Sequence, residues 1–170
     1  MITVADLLSM SRRDLRRVLD EGHPIEDGAL DDTEFKGVSL AMPRILEMLT
    51  WKTFTKTFRR DPETHELRGW NVRMEQTGID GPPIPKKKHG VPVTWGHYRV
   101  YPKDRALMID YDVPQNGWLT RRTRDPLVAV NANDATLLLG VSILDFGFFR
   151  MWTPTYFALV RRGPIAFVPC

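Results

Sequence analysis

A chain of 170 residues with 42% hydrophobic, 10% aromatic and 26% charged residues is long enough to bury a core without staples and too apolar for disorder to dominate. Its 24 basic residues are nearly offset by 21 acidic ones, for a formal charge of +3, which argues against nucleic acid as the main partner. The one Cys, Cys170, excludes an intramolecular disulfide and a Cys-rich metal site. With no secretory pattern at the front and no apolar run of about 18 residues, the chain is expected to be soluble and cytoplasmic, without membrane insertion.

Two short helices open the chain. Thr3 is placed to cap residues 4 to 9 and Ser11 to cap residues 12 to 21, where Ser11-x-x-Asp14 resembles a capping box. Leu15, Val18 and Leu19 form the apolar stripe opposite Arg12, Arg13, Arg16 and Arg17, and Gly22 is a stop. Such a helix would plug or cover one end of a sheet structure. Residues 23 to 32 are turn-rich. Thr33 to Leu40 then alternates as a strand, with Phe35 inward, and Pro43 starts a short apolar helix that leads into Trp51.

From Trp51 the period is two. Thr53, Thr55 and Thr57 alternate with Phe54, Lys56 and Phe58, and after the Asp61-Pro62 turn Trp70, Val72 and Met74 alternate with Asn71, Arg73 and Glu75. These predict a hairpin. Residues 76 to 93, dense in Pro and Gly and carrying Lys86, Lys87, Lys88 and His89, predict a long loop. A second hairpin spans Trp95 to Tyr101 and Ala106 to Tyr111, with His97, Arg99 and Tyr101 on one face and Tyr98 and Val100 on the other. Its second strand sets Leu107, Ile109 and Tyr111 against Met108, Asp110 and Asp112.

A polar connection carrying Arg121, Arg122 and Arg124 leads to Asp125–Asn131, which reads as a strand or a short helix. The most hydrophobic stretch follows, Thr136 to Arg162, two long strands joined at an aromatic corner from Phe146 to Trp152. Leu137, Leu139, Val141 and Ile143 alternate with residues that are themselves partly apolar, so the first of these strands is expected to be covered on both faces. About eight strands in hairpin succession predict a mainly β fold, an antiparallel up-and-down barrel with short N-terminal helices. A barrel of that size can hold one small ligand.

The capped helix at the start, Phe35-Lys36-Gly37 in the first strand, Trp51-Lys52, the Met108-Ile109-Asp110-Tyr111 strand, Leu139-Gly140 and Tyr156-Phe157-Ala158-Leu159 together resemble a family of uncharacterised bacterial lipocalin-like proteins. The resemblance implies a calycin-type barrel for small apolar ligands; the chain length fits one domain over 1–170, with residues 1–22 as a helical cap and the Pro- and Gly-containing 163–170 as a tail. Lipocalins pair a first-strand Trp with an Arg of the last strand that covers its ring. Here Phe35 would stand for the Trp, and Arg161 or Arg162 would supply the cover.

No nucleophile elbow, phosphate loop, zinc-binding helix or dinucleotide glycine pattern is present, so no cofactor or metal is expected and the sequence leaves open whether the protein is an enzyme. The binding residues expected for a small hydrophobic ligand are Trp51, Phe54, Trp70, Arg99, Tyr111, Phe148 and Tyr156. An alternative makes His97 and Asp110 a general base pair for isomerisation or cyclisation of a hydrophobic carbonyl compound in the same barrel. The favoured reading of His97, Arg99 and Asp110 is nevertheless a solvent face interleaved with core residues. Asp145 reads as a local cap, and Lys86 to Lys88 with Arg121 to Arg124 offer a weaker alternative of nucleic-acid contact.

Overall fold

The computed structural model describes residues 1–26, 28–40 and 52–169; the helix expected after Pro43, and Trp51, lie outside them. The strands are β1 (Thr33–Leu40), β2 (Thr53–Arg60), β3 (Leu67–Arg73), the short pair β4 (Lys87–Lys88) and β5 (Val91–Pro92), then β6 (Thr94–Lys103), β7 (Ala106–Asp110), β8 (Thr123–Asn131), β9 (Asp134–Asp145) and β10 (Arg150–Pro164). Eight of them close a barrel in the order β1-β10-β9-β8-β7-β6-β3-β2, and every neighbouring pair is antiparallel. The mainly β, up-and-down barrel expected from the sequence is the fold of the chain. Asp125–Asn131, open between strand and helix, lies in a strand, because its Leu127 and Ala129 alternate with Val128 and Val130 to supply two different apolar clusters.

One cluster lies inside the barrel. It brings Phe35, Phe58, Tyr98, Ile109, Tyr111, Leu127, Leu138 and Phe157 together from strands all around the wall. The other coats the outside of β8, β9 and β10, where Val128, Leu137, Leu139, Val141 and Ala158 meet Leu7, Leu15 and Leu19 of α1 (Val4–Ser9) and α2 (Arg12–Glu21). Leu138 points in while Leu137 and Leu139 point out, all at most 6% exposed, so β9 is covered on both faces as its sequence requires. The caps are also as expected: the Thr3 hydroxyl accepts from the Asp6 amide, and the Ser11 hydroxyl from the Asp14 amide.

The helices lie along the outer wall, not across an end. Their leucine stripe needs an extended apolar surface, and the outer face of β8–β10 provides one. The end is filled instead by the segment after α2. His23 exchanges both backbone hydrogen bonds with Ala129, at 2.9 Å each, and Ile25 and Leu30 enter the interior cluster. At this same end the hairpins turn through His65, Asp104 and Asn133, all with left-handed φ between 54° and 57°, a conformation that Asn and Asp tolerate better than other side-chain-bearing residues.

The β1–β10 pairing seals the barrel, Phe35 lying opposite Arg161. The Arg161 guanidinium sits 5.4 Å over the Phe35 ring and donates to the Ala29 carbonyl of the plug. Of the two arginines available to cover Phe35, Arg161 does so. Arg162, one residue on, faces outward and pairs with Glu34 at 3.1 Å. Past β10, Ile165 packs on the outer cluster of Trp70, Val72 and Met74.

Candidate functional site

The opposite end carries the long connections 74–93 and 111–122 and the short turn 146–149, and beneath it lies a group of ionisable side chains inside the barrel. Lys56 occupies the inward position between Phe54 and Phe58 on β2, and is 1% exposed. Its Nζ donates to the Tyr111 hydroxyl at 2.6 Å, which in turn donates to Asp125 Oδ2 at 3.1 Å. Asp125 is 2% exposed and takes the inward position two residues before Leu127. The result is a lysine and a carboxylate joined through one phenol.

Four rings surround the ammonium: its Nζ lies 4.6 Å from the centroid of Tyr98, 5.1 Å from Tyr111, 5.5 Å from Phe157 and 6.0 Å from Phe54. Glycines make room for them. A Cβ on Gly37 would meet Phe54 at 2.3 Å, on Gly69 Tyr98 at 2.4 Å, on Gly140 Phe157 at 2.4 Å, and on Gly96 Tyr111 at 3.2 Å. Ring faces carry negative charge density and partly replace the water that Lys56 has lost. Tyr98 is fixed by donating to the Thr57 carbonyl at 2.6 Å.

Burial shifts both charged groups toward neutrality. Lys56 is brought down to about 8, chiefly by desolvation and against the pull of Asp125. Asp125 is pushed up to about 6 by its own desolvation, opposed by the charge of Lys56 and by the hydroxyls of Ser142 and Tyr111. The Tyr98 and Tyr111 phenols are held well above their usual range by burial and by the nearby Asp125 charge. Hydrogen bonding in the cage is incomplete. Among the described residues Lys56 makes one hydrogen bond, although an ammonium has three donors, and Asp125 Oδ1 and Asn71 Oδ1 have no partner.

The residues singled out from sequence are divided among several places. Phe54 and Tyr111 are in the cage. Trp51 lies outside the described residues. Trp70 is buried on the outer wall, with no hydrogen-bond partner for Nε1 among the described residues. Tyr156 is beneath the helices in the outer cluster, and Phe148 is 88% exposed at the β9–β10 turn. His97, Arg99 and Asp110 lie on the outer face of the second hairpin and not in the barrel, but only Arg99 is exposed to solvent: Asp110, expected on a solvent face, is 2% exposed because two arginines cover it. There Asp110 is bridged by Arg99 and Arg124, each at 3.0 Å, while His97, its pKa lowered by desolvation, lines a surface groove of about 680 Å³ together with Arg99 and Trp70.

Sequence reasoning passed over Lys56 and Asp125. A signal for each was present: a lysine in register with Phe54 and Phe58, and an aspartate in register with Leu127 and Ala129. Neither has a motif around it, because Lys56 of β2, Tyr111 just after β7 and Asp125 of β8 are brought together by barrel closure. Asp145, read as a cap, accepts from the Gly147 amide at 2.9 Å. Among the described residues no helix is long and apolar enough to cross a membrane, and no group of three or more His, Cys, Asp or Glu side chains could hold a metal ion. The site thus defines a class, a closed antiparallel barrel with an ionisable cluster caged by aromatic rings in its interior. No family model, curated protein or solved structure matches the chain.

Proposed function

We propose that the chain is a lipocalin-like binding protein that holds a small hydrophobic molecule in its barrel, the molecule's one polar group, a carbonyl or carboxylate, facing Lys56 and Tyr111. The observation that carries this is the incomplete hydrogen bonding of a fully buried ammonium in an aromatic cage. Buried polar groups are nearly always satisfied, and two lysine donors with no acceptor among the described residues, set beside apolar rings, match an oxygen acceptor on an apolar body. The whole chain then acts as one lipocalin-like domain, with Phe35 and Arg161 in the places of the lipocalin Trp and its covering Arg. The test is native mass spectrometry of protein purified from its own host, followed by titration of the emptied protein with long-chain carboxylic acids and aldehydes. A bound lipid-like species and saturable binding, weakened about tenfold or more in Lys56→Met as expected for a charge-assisted hydrogen bond, are the expected results. Absence of both in the wild type overturns the reading.

A second reading, catalysis of proton transfer on a hydrophobic carbonyl compound, is favoured by one further observation. Lys56 and Asp125 have been shifted to either side of neutrality, to about 8 and about 6, and Tyr111 links them, the arrangement an acid and a base need to act near pH 7. This reading relocates the chemistry from His97 and Asp110 to the interior. Deuterium uptake from solvent at the carbon next to the carbonyl of a bound ketone, lost in Asp125→Asn, would support it. No uptake above the uncatalysed rate for any ketone that binds would remove it.

A further inference from the structure

Apart from the ionisable cluster, the least ordinary feature is the outside of the end above it. Three separate connections there each carry an exposed apolar tip. Ile84 and Val91, the latter 52% exposed, flank the β4–β5 ribbon; Trp118, 74% exposed, and Leu119 lie before β8; Phe148, 88% exposed, and Phe149 form the β9–β10 turn. At the β9–β10 tip the ring of Phe149 packs against Phe146 and Phe148, both at 4.9 Å, which leaves Phe148 directed into solvent.

Each tip has cations beside it. Lys86, Lys87 and Lys88 adjoin Ile84 and Val91, Arg121 and Arg122 adjoin Trp118 and Leu119, and Arg150 adjoins Phe149. Arg121 is neutralised by Asp112 at 2.6 Å and Arg150 by Asp145 at 2.9 Å. Lys86 to Lys88 and Arg122 are exposed and have no ion pair among the described residues. At the plugged end, by contrast, cations and carboxylates pair: Arg60 with Asp31, and Arg68 with Asp61 and Glu66. Beside the apolar tips, then, lie exposed cations with no ion pair among the described residues.

We propose that this end docks the protein on an anionic lipid surface, with the tips of 84–91, 118–119 and 146–149 entering the headgroup layer and Lys86 to Lys88 and Arg122 meeting lipid phosphates. The protein lies on the membrane and does not span it. Aromatic and aliphatic tips beside Lys and Arg are the composition that the bilayer interface accepts, and a basic cluster gains attraction from an anionic leaflet. A protein partner fits less well. A stable protein interface needs about 800 Å² of continuous complementary surface on each side, whereas three tips on separate loops need only a plane that yields. The proposal holds whether or not the barrel carries a ligand.

The test is co-sedimentation of the full chain with vesicles of phosphatidylcholine alone and of phosphatidylcholine mixed with phosphatidylglycerol. Binding to the mixed vesicles that falls as salt rises is expected, as are losses of about tenfold in Trp118→Ser and in Phe148→Ser. Lys87→Glu with Arg122→Glu should abolish the preference for anionic vesicles while leaving the circular dichroism spectrum unchanged. Failure to sediment with either vesicle overturns the proposal, as does binding that none of these substitutions alters. Concentration-dependent dimerisation removed by Phe148→Ser, without vesicle binding, overturns it in favour of a second copy of the chain.

Discussion

The two ends of the barrel are built on opposite plans. At one, hairpins turn within a few residues, Ile25 and Leu30 fill the opening, and Arg161 ties the plug to the first strand through the Phe35 ring and the Ala29 carbonyl. At the other, the connections 74–93 and 111–122 are long, aromatic side chains are left in solvent, and the interior just below contains Lys56, Tyr111 and Asp125. The same closed sheet thus supports a firmly packed base and a chemically unfinished upper half. Asp125 Oδ1 and Asn71 Oδ1, which have no hydrogen-bond partner among the described residues, belong to that upper half.

Substitutions should separate these two halves, starting with the largest effect. Phe35→Ala, which empties a fully buried position between Phe58 and Arg161, is expected to lower stability by about 4 kcal/mol in chemical denaturation. Lys56→Met leaves Asp125 without its opposing charge and should lose about 3 kcal/mol at pH 7, most of it regained in Lys56→Met/Asp125→Asn, because removing one member of a buried pair is worse than removing both. Failure of the double variant to recover would mean that the cage depends on the pair for its shape.

The lysine also sets a pH dependence. The folded chain releases its Lys56 proton near pH 8, the unfolded chain near 10.5, so between these values the unfolded chain binds more protons and stability rises with pH. From pH 8 to 10 the gain should be about 2 kcal/mol and absent in Lys56→Met. Above pH 10 the Tyr98 and Tyr111 phenols, held protonated by burial, act in the opposite direction. Arg161→Met removes a cation over a ring and a bond to the plug, an effect of about 1 kcal/mol, with faster amide exchange at His23 and Ala29 as its local sign. Phe148→Ala, at the other end, should change stability by less than about 0.5 kcal/mol. A larger loss would show that the exposed turn belongs to the packed half.

The wall of the barrel was legible in the sequence because period-2 alternation is a local property. Leu137 to Ile143 announced coverage on both faces, and Tyr98 and Ile109 separated cleanly from Arg99 and Asp110. The cover of Phe35 by an arginine of the last strand was legible only through the family resemblance, and the choice of Arg161 over Arg162 needed the register, since adjacent residues of a strand face opposite ways. The cage was not read because its members come from β2, β3, β6, β8, β10 and the residue after β7 and contain no motif. Lys56 and Asp125 were marked only by sitting among apolar neighbours, and a long cationic side chain can leave such a face by bending its end into water. Trp70 and Tyr156, selected as pocket residues because they are aromatic, are instead buried on the outer wall, where the segment after β10 and the helices cover them.

The seam between β1 and β10 also governs how this chain reaches its native state. Arg161 and Ala29 are 132 positions apart, so the contact that fastens the plug forms only after nearly all the intervening chain has been synthesised. Until then β1 has β2 on one side and an unpaired edge on the other, available to any extended segment nearby. Sheets completed by such distant pairing fold slowly. For β1 the hazard of wrong pairing on the ribosome is therefore greatest before the final strand emerges.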